Sequence, residues 1–223
     1  MTYKDFIWVG ILIIVTGFIV IPSTRSIFES LTQSYPYIMG FTKTALLASL
    51  GERLVVRIKT GSYFGDQGFL LKALVWGFLG MGFVLIFKLF AEGVTATQAA
   101  GLLPVISNPP WASMLLTAFL ISLLMNVVFA PTFMLLHRIT DGYIHLGEGQ
   151  LKGISKIKLS EVIAHINFTY FFSFVLFKTI PLFWIPAHTI TFLLPENYRV
   201  LMAAYLSIAL GLLLTLAQPK IQK

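Results

Sequence analysis

The stretch "HRITDGYIH" sets His137, Asp141 and His145 at successive four-residue steps. On a helix these three share one face, and imidazoles with a carboxylate at that spacing are donors a metal ion accepts. No fourth ligand is evident, and Gly142 interrupts the helix propensity of the run. A polar helix end at the membrane surface is therefore preferred to a metal centre. The sequence contains no Ser-His-Asp pairing, Walker loop or dinucleotide fingerprint. No enzyme activity and no cofactor are expected.

The other residues with chemical potential lie inside apolar blocks, where an ionisable group costs at least about 2.5–3.5 kcal/mol at the bilayer centre and normally faces protein or water. Glu52 continues a stripe of Gly40, Thr44 and Ala48, so it is expected to face neighbouring helices, with Lys72 as a cation within reach. Asn126 continues a second stripe through Ala118 and Ser122, with Ala130 following. Lys178 falls midway along a later block, just before Pro181, and His188 follows Pro186. Glu52, Lys72, Asn126, Lys178 and His188 are the candidate lining of a solute path. Lys43 and Lys88 are expected to reach the interface on their long stems.

These residues sit in a chain of 223 residues that is 57% hydrophobic and 11% charged, against about 25% charged for soluble domains. The apolar residues form long blocks rather than one-sided stripes, as in an all-α bundle of transmembrane helices. Six spans are expected, at 6–21, 37–58, 69–90, 111–136, 167–194 and 198–217. The first is short, and the fifth exceeds the roughly 20 residues a crossing needs; Pro181 and Pro186 are expected to bend it rather than end it. The first block lacks the basic flank and small-residue cleavage site of a signal peptide, so it is expected to remain as a span. The segment 151–166 mixes isoleucines with lysines and reads as a basic helix on the membrane surface.

The formal net charge of +7 distributes by side. Six spans place Lys4, Arg57, Lys59, Arg138, Lys152, Lys156, Lys158, Lys220 and Lys223 together, whereas the 91–110 segment has no Lys or Arg. By the positive-inside rule both termini are cytoplasmic. The charge thus reflects topology and a lipid bilayer as partner, not nucleic acid. Cysteine is absent, which excludes disulfides and thiolate metal sites.

Spans two and four have the outline of a parallel repeat, since Pro36 precedes Glu52 by the spacing at which Pro110 precedes Asn126. Ala203, Ser207, Gly211 and Thr215 form a small-residue stripe in span six. Such a face suits helix packing, within the chain or between copies in a homo-oligomer.

Four stretches resemble the Mpv-seventeen/PMP-twenty-two family of small multi-span peroxisomal and inner-mitochondrial membrane proteins. "YPYIMGFTKTALLASLGERL" is similar to its first helix through Pro36, Gly51 and Glu52, and "KALVWGFLGMGFVLIFKLF" to the next through Lys72 and Gly77. "FAPTF" contributes Pro131. "WIPAHTITFLLPENYR" matches through Trp184, Pro186, Phe192, Pro195 and Arg199. The family's Asp-Gln pair appears here as Met125-Asn126, and its Asn before Phe as Thr191. The resemblance implies a domain over 31–217, with an added helix at 1–30 and a basic tail at 218–223. It also implies a channel or solute-transport role, in a bacterial cytoplasmic membrane or, alternatively, an organelle membrane. The competing expectation is a structural or lipid-organising helical oligomer without transport.

Overall fold

The computed structural model describes residues 2–64 and 67–217. The basic tail 218–223 and the Thr215 side chain lie outside the described residues. The protein is all-helical, with 85% of residues in helices. In order these are α1 (Tyr3–Val20), α2 (Pro22–Ser34), α3 (Pro36–Thr60), α4 (Phe69–Ala99), α5 (Pro110–Val128), α6 (Ala130–Leu146), α7 (Leu151–Ile154), α8 (Leu159–His165) and α9 (Phe168–Tyr170). The π-helical segment Phe171–Trp184, α10 (Ile185–Leu193) and α11 (Glu196–Ala217) complete the chain. Among the described residues, four helices have the length and hydropathy to cross a membrane: Tyr3–Val20, Phe69–Ala99, Pro110–Val128 and Phe168–Leu193.

Proline punctuates the helices where its missing N–H costs nothing. Pro22, Pro36 and Pro110 stand at the first residue of α2, α3 and α5. α3 stops at Gly61, whose φ of 78° is open to glycine at little cost.

α3 is the axis of the bundle. Gly40 crosses α4 so closely that a Cβ there would lie 2.6 Å from Val84 Cγ2 and 2.8 Å from the Gly80 carbonyl oxygen. A Cβ on Gly51 would lie 3.1 Å from the Ile208 Cα of α11. Without water between helices, such close backbone packing is a main source of association in a bilayer. Gly77 serves the same end, admitting the Phe41 ring against α4.

α1 lies outside this core and has no buried residue. One stripe, Trp8, Leu12, Val15 and Ile19, packs on a cluster around Phe28, Leu47, Leu50 and Leu201. Trp8 Nε1 donates to the Leu50 carbonyl at 2.9 Å. The Arg57 guanidinium clamps Asp5 with bonds of 2.8 and 3.0 Å, tying the start of α1 to the end of α3. Burial, then the neighbouring Asp5 carboxylate, raises the pKa of Tyr63 in the following loop.

Several boundaries differ from the sequence expectation. α2 was not expected, because its polar residues lack a membrane pattern; only Phe28 is buried. α4 runs beyond Phe90 to Ala99. The block 111–136 is divided at Phe129, and α6 continues through Gly142 to Leu146. Gly142 does not end the helix: a Cβ there would meet Val162 Cγ1 at 2.6 Å, so its bare backbone admits α8. Instead of one surface helix, 151–166 forms α7 and α8, and Val162 is fully buried. Pro181 lies inside the π-helical segment and Pro186 opens α10, so the helix Phe168–Leu193 continues through both prolines, as expected.

Candidate functional site

Among the described residues the helices border three adjoining, partly open cavities. The central one, of about 310 Å³, lies between α3, α4, α5, α6, the π-helical segment and α11, and its walls include Trp76, Phe83, Phe133 and Trp184. A second cavity, of about 500 Å³, lies at the end of the bundle where α3 and α11 begin, and Phe87 lines both. A third, of about 290 Å³, lies at the opposite end, with Arg138, Asp141, Tyr170 and Phe171 common to it and the central cavity.

Two polar clusters interrupt the aromatic wall. The first is held by α5 and α10. Asn126 donates to the Ser122 carbonyl one turn earlier at 2.8 Å, and its amide faces His188 Nδ1 at 3.1 Å (Nδ2) and 3.2 Å (Oδ1). Ser122 Oγ donates to the Ile185 carbonyl at 2.8 Å, and Thr189 Oγ1 donates to the same carbonyl at 2.8 Å. The Trp184 ring stacks on His188 at 5.1 Å. This cluster keeps a buried amide and imidazole satisfied while leaving both beside the cavity. Trp184 Nε1 and Thr44 Oγ1, also on the cavity, are buried polar atoms without a hydrogen-bond partner. Orphaned groups of this kind are uncommon in folded proteins.

The second cluster joins α3, α4 and α6. Trp76 Nε1 donates to Glu52 Oε1 at 2.8 Å. His137 Nδ1 lies 3.3 Å from Asp141, whereas its buried Nε2 is 3.9 Å from Glu52 and has no hydrogen-bond partner. The Trp76 ring packs 4.3 Å from the imidazole, and Lys72 lies within electrostatic reach of both Glu52 and His137. Ligand atoms of Glu52, His137 and Asp141 lie within 4.8 Å of one another. His145, expected as the third member of the set, instead faces His165 with ring centroids 5.4 Å apart. Glu52 from α3 takes its place in space, which the four-residue spacing along α6 had no means of revealing. With Glu52 engaged by an indole N–H and Lys72 close by, the cluster has the form of a hydrogen-bonded network.

Of the five lining candidates, Asn126 and His188 meet in one cluster and line the central cavity, whereas Glu52 and Lys72 belong to the other cluster and are not in the walls of these three cavities. Lys178 does not join them: it is exposed on the far side of the π-helical segment, 5.9 Å over the Phe174 ring. Its neighbour Thr179 is the residue turned inward. Lys43 also departs from expectation. Instead of reaching the interface it is only 6% exposed, donating to Thr32 Oγ1 at 2.9 Å and the Asn197 carbonyl at 3.3 Å. Its position was legible as the inner-face neighbour of Gly40 and Thr44. Lys88 does stay at the surface, paired with Glu92 and Glu196. Trp76 and Phe87 carried no sequence signal, being aromatics among many.

The motif residues serve local geometry. Pro131 sits just after the break at Phe129, and Pro195 joins α10 to α11. Arg199 donates to the Leu194 and Phe192 carbonyls at 3.1 and 3.4 Å, capping the end of α10. The Ala203, Ser207 and Gly211 face turns into the chain: all three line the central cavity, and a Cβ on Gly211 would meet Val55 Cγ2 at 2.8 Å. Both repeat stripes are buried, Gly40, Thr44 and Ala48 in α3 and Ala118, Ser122, Asn126 and Ala130 in α5 and α6.

Comparison with family models, curated proteins and solved structures gave no match.

Proposed function

We propose that this protein is a membrane channel or transporter for small polar or anionic solutes. One observation carries the reading. Three cavities follow one another along the bundle and share walls, with Phe87 between the first two and Arg138, Asp141, Tyr170 and Phe171 between the last two. Polar groups that hydrocarbon would not tolerate line this path, at Asn126 with His188 and at His137 with Asp141, and Glu52 stands behind His137.

The reading takes six spans: α1, α3, α4, α5 with α6, the Phe168–Leu193 helix, and α11. The lysine and arginine distribution supports cytoplasmic termini, with Lys43 and Arg199 near the opposite face. A bacterial cytoplasmic membrane is the proposed location, with an organelle membrane as the alternative. The resemblance to the Mpv-seventeen/PMP-twenty-two family supports a transport role through its proline, glycine and arginine positions, and no enzymatic step is proposed.

The test is flux through purified protein in liposomes, with small carboxylates, phosphate and a neutral polyol as solutes. Flux above that of protein-free vesicles, reduced by Asn126→Leu, supports the reading; flux equal to empty vesicles overturns it. A second reading has its own support, because most of the polar groups satisfy one another across helices, as fasteners do. A structural or lipid-organising protein predicts that Glu52→Gln lowers thermal stability in detergent while the parent passes no solute. Stability retained in Glu52→Gln alongside lost transport would sink it.

A further inference from the structure

We propose that the cavity where α3 and α11 begin is an oxyanion-binding site centred on Lys43, taking a phosphate or carboxylate group. Lys43 is 94% buried by the complement of its 6% exposure, and its ammonium has only neutral partners, Thr32 Oγ1 at 2.9 Å, the Asn197 carbonyl at 3.3 Å and the Phe28 ring at 4.4 Å. No carboxylate is within ion-pair distance of it among the described residues. A buried cation without a counter-ion is costly, and an anion from outside the chain supplies what the fold omits.

At the mouth of the cavity Lys88 is ion-paired to Glu196 and Glu92 at 3.1 and 3.0 Å, so the inner charge belongs to Lys43 and Arg199. Arg199 and Lys88 line it with Lys43, against the single carboxylate of Glu196. Glu196 is bound to Lys88 at 3.1 Å, and both are more than half exposed, so they mark the mouth while Lys43 marks the floor. Arg199 spends its hydrogen bonds on backbone carbonyls, with Glu196 and Glu92 in electrostatic reach but not paired with it. In addition, α3 begins at Pro36 and α11 at Glu196, both on this cavity. At about 500 Å³ it has room for a phosphate or a short dicarboxylate with water.

The inference names a solute class for the path proposed above and rests on that reading for what the bound anion does, though binding itself is measured without transport. A soluble anion and an anionic lipid headgroup present the same chemistry here. Calorimetric titration of inorganic phosphate and of a four-carbon dicarboxylate into the full-length, delipidated protein in neutral detergent, at fixed ionic strength, tests the first source. Reconstitution in nanodiscs with and without phosphatidylglycerol, followed by thermal unfolding, tests the second. Saturable binding of either kind, lost about tenfold or more in Lys43→Met, is the expected result. Thr32→Asp places a carboxylate beside Lys43 and is expected to abolish binding while raising stability, which keeps the test decisive if Lys43→Met does not fold. No saturable binding from either source, or affinity unchanged in both variants, overturns the site. Binding without flux would overturn the transport reading and leave the site intact; flux without binding would do the reverse.

Discussion

Replacing Phe87 with alanine removes a ring that stands between the central cavity and the Lys43 cavity. Phe87 is 4% exposed and packs on Phe192, Phe83 and His188, with ring centroids 5.3, 5.7 and 5.8 Å away. Truncating a buried phenylalanine costs about 3–5 kcal/mol in packed interiors. Because this ring already borders open space on two sides, it forfeits fewer van der Waals contacts, and about 3 kcal/mol is expected. That is roughly a hundredfold in the folded-to-unfolded ratio, measurable as a shift in denaturant unfolding in mixed micelles. The same truncation merges cavities of about 310 and 500 Å³, so solute flux in liposomes should rise even as stability falls. Phe87→Leu, which keeps apolar bulk between the cavities, should return both quantities most of the way to the parent values. A folded Phe87→Ala protein whose flux equals or falls below that of the parent refutes the claim that this ring divides a path. It would leave Phe87 as a packing residue only.

Other consequences concern the supports of the site. Gly40→Ala drives a methyl into Val84 and the Gly80 carbonyl, an overpacking worth about 1–3 kcal/mol that thermal unfolding in detergent will register as a lowered midpoint. A double-mutant cycle on Asn126→Ala and His188→Ala should give a coupling of about 0.6–1.7 kcal/mol, the range of interhelical hydrogen bonds in bilayers; additive effects would show that the amide and imidazole do not hold α5 to α10. Asp5→Asn breaks the clamp on Arg57, and because α1 has no buried residue its end should become more open to protease while the remaining helices stay protected. Equal cleavage of parent and variant would show that Trp8 and its stripe suffice.

Much of the bundle was legible because the small residues form stripes. Gly40, Thr44 and Ala48 pointed inward, and the structure buries them against α4 and the cavity. Prolines marked helix starts by a rule that depends only on their own covalent structure, which is why Pro36 and Pro110 could be aligned before any fold was known. The failures arose where apolar pattern and helix boundary are separate matters. α2 is amphipathic, and so lacks the uniform hydropathy of a span. The division at Phe129 is invisible in a block that is apolar on both sides, although Pro131 lies just beyond it. The run 151–166 has enough isoleucine for one helix, but Val162 is drawn out of register with a surface helix by the bare backbone of Gly142.

The site was less legible than the fold, for a reason particular to chains of this composition. Glu52 and Asn126 occupy matching places after matching prolines, yet their partners lie on different helices: Trp76 and His137 for one, His188 for the other. Nothing in the spacing along α3 or α5 determines which neighbour arrives opposite. His188 reaches Asn126 because Phe168–Leu193 widens into a π-helix around Pro181 before tightening again at Pro186. A π segment turns side chains through a different angle per residue than an α-helix. Sequence positions that seem equivalent before it, Lys178 and His188 among them, therefore end on opposite sides. The lysine that looked most functional is outside, whereas Lys43, which had an ordinary explanation at the interface, turns into the protein. For a membrane chain, the depth of an ionisable residue is readable from sequence; the side of the helix it finally occupies depends on every irregularity that precedes it.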